Sequence, residues 1–244
     1  MMATPPYKSY TIPRNETEKI TVKITEALCA AEGLYLTTWT SAYILSGLLS
    51  KLKFDGLPFD KPQDEHTILE LGAGTGLTGF CATAIWNARS LLTDLPSIVP
   101  GLQANIDLNP EIAGANGDLV SCGTLDWNQP DIFHVHNSKG PSKSFTVGEV
   151  QGFPIILTAD TMYTEDHPRL ISQTIAACLR RSPDARAVVV YAMRVAYLDY
   201  IREFWELMEE RGLVAVDEGR EEIDLTNWDD EKLHEWCVWK WKDL

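Results

Sequence analysis

The sequence predicts an α/β fold, a parallel sheet covered by helices on both faces, and three observations carry that prediction. From Thr67 onward, apolar runs of strand length alternate with longer stretches whose apolar residues recur at helical spacing. The first of these runs ends in a glycine-rich turn that opens a helix. The chain closes on a strictly alternating segment that reads as one more strand. Strand and helix in alternation build parallel sheets, because each crossover must pack back on the sheet it left.

Taken in order, the first fifteen residues hold Pro5, Pro6 and Pro13 and read as a flexible arm draped on the surface. Ile20, Val22 and Ile24 fall on one side of a period-two pattern across Lys19 to Thr25, a half-buried strand. From Thr38 to Leu52, Trp39, Tyr43, Leu45, Leu48 and Leu49 form a helical stripe, and a polar loop with Asp55-Gly56, Pro58 and Pro62 follows. The core is then expected as strand Thr67–Leu71, helix Gly76–Asn87, strand Ser90–Asp94 and helix Pro96–Leu108. It continues as strand Pro154–Ala159, helix Pro168–Arg181, strand Arg186–Tyr191 and helix Tyr197–Arg211, ended by Gly212. The loop from Asn128 to Gly152 and the acidic segment from Asp217 to Glu231 interrupt the rhythm as surface stretches. Glu235 to Lys242 is the final strand, antiparallel beside the others, with Trp236, Val238 and Lys240 opposite Cys237, Trp239 and Trp241. One domain is expected, with residues 1–66 as an N-terminal strand and helix extension and 67–244 as the core.

Composition narrows the function. At 45% hydrophobic and 23% charged residues, the 244-residue chain is neither disordered nor fibrous. Its 35 acidic against 21 basic residues give a net charge of −14, which opposes general binding to nucleic acid or anionic membranes. No apolar run approaches the roughly 20 residues of a bilayer-spanning helix, and the start lacks the pattern of a secretory or transit leader. A cytoplasmic protein, or one also nuclear, is expected. Cys29, Cys81, Cys122, Cys178 and Cys237 form no Cys-x-x-Cys pair, so neither a disulfide framework nor a zinc site is indicated, and no metal is expected. His134 and His136 would need further ligands brought by the fold to hold one.

Chemistry concentrates at Glu70-Leu-Gly-Ala-Gly-Thr-Gly76, a turn whose glycines let a ligand approach the backbone at the positive end of a helix. A phosphate-binding P-loop requires lysine where Phe80 follows Gly79, and a dinucleotide fingerprint begun at Gly72 requires glycine at Leu77. What remains resembles motif I of the class I methyltransferases that use S-adenosylmethionine. Asp94, at the end of the next strand, stands where a carboxylate can accept from both ribose hydroxyls, and it could also cap the helix beginning near Pro96. Trp39 and Trp127 are open between packing in the core and flanking the cofactor.

A second constellation, Ala159-Asp160-Thr161-Met162-Tyr163, ends a later strand, and the carboxyl ends of parallel strands are where such sheets bind ligands. Asp160 has an alternative role as a helix cap beside Thr161 and Thr164. His167, before Pro168, reads as the start of a helix. Asp-x-x-Tyr after a strand resembles the post-strand motif of the family 16 methyltransferases, the seven-β-strand group rich in protein-lysine methyltransferases. The matched places run in order from about Ile20 to Trp241. They are Gly33 through Trp39-Thr-Ser-Ala42, Leu69 to Gly76, Thr93-Asp94-Leu95 on to Asn105, Leu125-Asp-Trp127, and Ile156 to Tyr163.

The resemblance implies a Rossmann-like seven-stranded class I methyltransferase sheet, with S-adenosylmethionine bound and S-adenosylhomocysteine released. It implies that Trp39, Glu70, Gly72, Gly74, Gly76, Asp94, Leu95, Trp127 and Ala159 serve the cofactor, and that Asp160 and Tyr163 lie by the incoming nucleophile. The expected activity is protein-lysine N-methylation by a monomer, with a translation elongation factor as one candidate acceptor. Methylation of a small molecule at nitrogen or oxygen, or cofactor binding without turnover, are the competing readings. A lysine amine with an ordinary pKa near 10.4 must lose its proton before attack. Asp160 is therefore expected chiefly to orient the amine, and Tyr163 to line the channel.

Overall fold

The computed structural model describes residues 6–26, 37–54, 66–114, 118–136, 141–228 and 230–244. The loop with Asp55-Gly56, Pro58 and Pro62, together with Gly33 and Cys29, lies outside the described residues. Within the stretch expected as an arm, the described residues form a hairpin instead: β1 (Lys8–Pro13) pairs antiparallel with β2 (Lys19–Ile24). Pro6 precedes the strand and Pro13 ends it, positions where a strand tolerates proline, and the alternation of Tyr10 and Ile12 turns those side chains inward. Two asparagines supply the partners that a third strand would have given β2. Asn109 Oδ1 accepts from the Lys23 N–H at 2.8 Å and its Nδ2 donates to the Lys23 carbonyl at 2.7 Å. Asn105 accepts from the Thr25 N–H at 2.8 Å.

Helix α1 (Thr40–Leu48) follows Trp39. The core then runs β3 (Ile68–Leu71), α2 (Leu77–Trp86), β4 (Ser90–Asp94), α3 (Val99–Leu108), α4 (Pro110–Ala113) and β5 (Val120–Leu125). Next come β6 (Ile132–Val135), β7 (Lys143–Thr146), α5 (Val147–Val150), β8 (Ile155–Ala159), α6 (His167–Cys178) and β9 (Arg186–Ala192). The chain ends with α7 (Leu198–Glu210), β10 (Leu213–Glu222) and β11 (Leu233–Trp241). The sheet order is β10-β11-β9-β8-β3-β4-β5-β6-β7, and the five strands from β9 to β5 are parallel.

The expected seven strands occupy β10 through β5, and two more extend them to nine. These two lie in the stretch 128–152, which is a strand pair and not a plain loop. Phe133 of β6 stacks on Phe145 of β7 at 5.0 Å and packs on Phe153 at 5.4 Å, enough apolar surface to seat the hairpin. Much of the acidic segment is likewise strand, since β10 continues to Glu222 at the sheet edge. Arg220 pairs there with Glu235 and Lys232 with Glu222, and a charged edge resists pairing with another chain.

Because side chains alternate across each strand, the sheet divides the core in two. On one face Ile68, Val188 and Val190 meet α1, α2 and α3 through Leu45, Leu48, Phe80 and Leu102. On the other, Leu69, Leu71, Val189 and Trp239 meet α6 and α7 through Ile171, Ile175, Phe204 and Met208. The final strand splits as its alternation predicts: Val238 faces the first layer, and Cys237, Trp239 and Trp241 face the second. From β3 the chain winds outward to β4 and β5, then returns to β8 and β9 on the other side. This order creates a switch point, and hence a crevice, between β3 and β8.

Candidate functional site

The crevice holds a cavity of about 240 Å3. Its floor is the turn after β3, where Gly72, Gly74 and Gly76 take φ of +61°, +55° and +82°. Glycine is required at Gly72 on two grounds, the left-handed backbone and a side chain's lack of room. A Cβ there would meet Thr161 Cγ2 at 2.7 Å and the Trp127 ring at 3.3 Å. Gly74 faces open space instead, which leaves its backbone accessible to a ligand.

Asp94, at the end of β4, ties that turn down. Its Oδ2 accepts from the Gly74 N–H and its Oδ1 from the Leu95 N–H, each at 2.7 Å. It does not cap α3, whose N-cap position is Ile98. Burial pushes the Asp94 carboxyl above its ordinary range, opposed by the two backbone donors. A carboxylate oxygen has two acceptor sites, so each still has capacity for a ligand hydroxyl.

Glu70 and Gly76 stand behind the cavity wall rather than in it. Glu70 is buried under α2, where its Oε2 accepts from the Gly79 N–H at 2.9 Å. Burial raises its carboxyl to about 8, so at neutral pH it is mostly the neutral acid. Gly76 is the left-handed N-cap of α2, and a Cβ there would meet Leu92 at 2.8 Å. These two residues shape the turn; Gly72, Gly74 and Asp94 present it.

Apolar walls complete the pocket: Leu95, Ile98 and Leu125 on one flank, with Trp127 and Leu170 closing it. The Trp127 turn is fixed by Asp126, whose Oδ1 accepts from Asn128 N–H at 2.8 Å. The Trp127 ring meets His167 edge-on at 5.7 Å. Mostly apolar walls with a few convergent polar groups make a small-molecule site. Trp39, 43% exposed at the start of α1, stands at the mouth. Both tryptophans line the cavity, so the packing-only alternative for them does not describe the structure.

Opposite the glycine turn, the end of β8 presents Ala159, Asp160 and, beyond Thr161, Tyr163 to the same cavity. Asp160 does not cap a helix; Asp166 holds the N-cap position of α6. Its backbone is left-handed, at φ +60°, a conformation aspartate tolerates better than most residues, and its N–H donates to the Val190 carbonyl at 2.9 Å. Its carboxylate is gripped by Arg194 in a two-bond fork, Nη1 to Oδ1 at 2.6 Å and Nη2 to Oδ2 at 2.8 Å. Arg194 Nη2 also donates to Asp230 Oδ1 at 2.6 Å. The guanidinium lies 5.7 Å from the Trp39 ring, and its two carboxylates hold it firmly protonated against the opposing effect of burial.

Tyr163 is half exposed. Its N–H donates to His167 Nδ1 at 3.3 Å, and the two rings meet edge-on at 4.3 Å. Burial and the nearby carboxylates raise the Tyr163 phenol. Burial lowers His167, which suits a ring that accepts at Nδ1.

Arg194, Asp230 and the contacts of His167 with Trp127 and Tyr163 carry no mark of their own in the sequence pattern. Arg194 stands just past β9, at the carboxyl edge that the parallel-sheet rule marks for ligands, and that position was its available signal. Asp230 lies in an acidic run with nothing local to set it apart. Among the described residues no group of histidine, cysteine and carboxylate side chains could hold a metal, and Cys81, Cys122, Cys178 and Cys237 are free and buried. No helix among them is long and apolar enough to cross a membrane.

A glycine turn, a strand-ending acid and a ligand cavity at the switch point of such a sheet define a class I methyltransferase fold. Solved structures agree at the level of fold. The magnesium protoporphyrin IX methyltransferase of Synechocystis with bound SAM matches at TM-score 0.53 and 14% identity, over 81% of this chain and 78% of that one. M. jannaschii TYW2 in complex with AdoMet matches at TM-score 0.50 and 12% identity, over 99% and 89%.

Residues 16–211 match the lysine methyltransferase model, and the chain belongs to that family. The protein-lysine N-methyltransferase rrg1 of Schizosaccharomyces pombe is 31% identical over 79% of this chain and 58% of its own length. The protein-lysine N-methyltransferase EFM2 of Saccharomyces cerevisiae is 29% identical over 82% of this chain and 47% of its own. The chain thus spans about half the length of these two relatives. The EEF1A lysine methyltransferase 3 of Xenopus tropicalis is 28% identical over 63% of this chain and 57% of its own length.

Proposed function

We propose that this chain is an S-adenosylmethionine-dependent protein-lysine N-methyltransferase. The observation that carries the proposal is that Asp160 and Tyr163 share one cavity with Gly74 and Asp94, so acceptor and donor sites face each other across a single crevice. The residues present fit the cofactor: an accessible backbone at Gly74, a carboxylate with spare acceptor sites at Asp94, and apolar walls at Leu95 and Trp127. When bound, that group supplies an activated methyl and a good leaving group.

The chain's own task is then to place a neutral amine in line with the methyl and keep water out. Trp39 and Tyr163 flank the entry and narrow it. Asp160 orients the amine by accepting one of its N–H bonds. An isolated carboxylate would hold a lysine protonated and oppose attack. Arg194 offsets that charge and locks the carboxylate's direction through two parallel bonds, so Asp160 orients without acting as a full counter-ion. Arg194 and Asp230 are accordingly positioning residues.

The acceptor we propose is a basic surface of a translation elongation factor. The relative named for EEF1A supports this, as does the net charge of −14, which attracts a cationic partner in a salt-dependent way. Such an acceptor places the enzyme in the cytoplasm.

The test is incubation of the purified chain with methyl-labelled S-adenosylmethionine and recombinant elongation factor 1A, alongside a eukaryotic lysate separated into protein and small-molecule fractions. Label recovered as methyllysine, and lost in Asp160→Ala, is the expected outcome. Label confined to small molecules, or protein label untouched by Asp160→Ala, overturns the proposal.

A further inference from the structure

A second cavity, of about 650 Å3, opens on the far side of Trp39. Trp39 lines both cavities, and Asp230, which holds Arg194, lies on the wall of the second. One flank is the outer edge of β1 from Lys8 to Thr11. Among the described residues β1 pairs only with β2, and its other edge has no strand partner among them. The floor is aromatic: Tyr43 and Trp228 have ring centroids 5.3 Å apart, and Tyr10 stands 6.3 Å from each. Rings at these separations pack against one another, which leaves their outer faces, not the gaps between them, for a ligand.

The methyl-transfer chemistry makes no use of this groove, since amine, cofactor, Asp160 and Tyr163 all meet in the first cavity. Trp228 comes from the stretch between Asp217 and Glu231, which holds eight acidic residues against the single cation Arg220. Lys8, a cation in the groove's own lining, is neutralised by Glu26 at 2.9 Å.

We infer that this groove binds the extended chain segment beside the target lysine and selects a cationic side chain on the Tyr10–Tyr43–Trp228 floor. The inference rests on the protein-lysine reading and deepens it. Three features favour an extended basic peptide. A strand edge offers main-chain pairing to an added strand. Aromatic faces on a chain of net charge −14 attract guanidinium and ammonium groups. Continuity through Trp39 lets one peptide occupy the groove while its lysine enters the acceptor site.

The experiment uses lysine-centred peptides with blocked ends, in which arginine, glycine or glutamate is placed in turn at each of the flanking positions. Methyl transfer from labelled S-adenosylmethionine is measured for the wild type, Trp228→Ala and Trp228→Phe, with cofactor affinity as the control for an intact fold. At one flanking position, arginine should lower KM about fivefold relative to glycine, and glutamate should raise it. Trp228→Ala should erase that ranking with kcat and cofactor affinity unchanged, and Trp228→Phe should restore most of it.

Equal KM values for arginine and glycine, or a ranking that survives Trp228→Ala, overturn the inference. If Trp228→Ala weakens cofactor binding, the wild-type ranking and Trp228→Phe decide. Label in intact proteins but in no peptide also overturns it, because an extended segment would then not suffice. Label in neither, with cofactor bound, defeats the lysine methyltransferase reading itself.

Discussion

The two sides of the crevice are built on different principles. The proposed cofactor side is assembled from consecutive strand ends between Gly72 and Trp127, and backbone hydrogen bonds fix it: the Gly74 and Leu95 N–H groups to Asp94, and the Gly79 N–H to Glu70. The proposed acceptor side draws Trp39, Asp160, Tyr163, Arg194 and Asp230 from separated stretches of chain, and a charged fork fixes it. Local backbone geometry defines the first, and direct ion pairs between residues far apart in sequence define the second. Damage should therefore differ in kind, abolishing binding on one side and slowing or shifting transfer on the other.

The largest effect is expected on the cofactor side. Gly72→Val puts a branched side chain at φ +61° and drives its Cβ into Thr161 at 2.7 Å. Strain and overpacking of this kind cost about 2–4 kcal/mol. Cofactor affinity, measured by calorimetry, should fall by roughly a hundredfold or more, with a lower melting temperature. Cofactor affinity close to wild type in this variant breaks the comparison, because the turn would then not need its left-handed backbone.

The acceptor side offers the next effect, and it should be one of rate. Arg194→Met removes the fork while leaving the glycine turn alone. It leaves Asp160 and Asp230, both largely buried, without their cation, a loss of about 3–5 kcal/mol in comparable pairs. Cofactor affinity should hold within about twofold while kcat falls by roughly ten- to a hundredfold. The direction of the pH dependence is the sharper readout. Without the guanidinium, the carboxylates raise the pKa of the bound substrate amine, so the neutral nucleophile appears only at higher pH. The rising limb of kcat against pH should move to more alkaline values. An unmoved limb would show that Arg194 only holds the backbone in place.

The same contrast explains what the sequence disclosed. The glycine turn, Asp94, Leu95 and Asp160-x-x-Tyr163 were legible because each is a contiguous motif at the end of an apolar run. Arg194 and Asp230 were not, because their roles depend on which strands become neighbours. β9 lies beside β8 and β11 beside β9 only in the folded sheet order. The overlooked strands show a different failure. In β1 the prolines at positions 5, 6 and 13 masked a short alternation of Tyr10 and Ile12. In β6 and β7 surrounding glycines, serines and histidines hid two four-residue runs whose evidence was Phe133 and Phe145. Four residues give too few periods for alternation to stand out.

Glu70 supplies the smallest effect and tests whether its part is structural. It is the acidic residue of the glycine motif, yet it lies under α2 and outside the cavity. With its carboxyl raised from an ordinary 4.5 to about 8 by burial, the folded state keeps a proton that the unfolded chain gives up. Its contribution to stability is therefore fully present below about pH 4.5 and is lost progressively as pH rises towards 8. Glu70→Gln has nearly the same shape, keeps an oxygen for the Gly79 N–H and does not titrate in this range. Near pH 5 its unfolding free energy should match the wild type within about 0.5 kcal/mol. By pH 8.5 the variant should be the more stable by about 1 kcal/mol or more, with the gap opening steadily between. Cofactor affinity should change little at either pH. A variant less stable at every pH would mean that α2 is held by a carboxylate, and a large loss of cofactor affinity would return Glu70 to the ligand side of the turn.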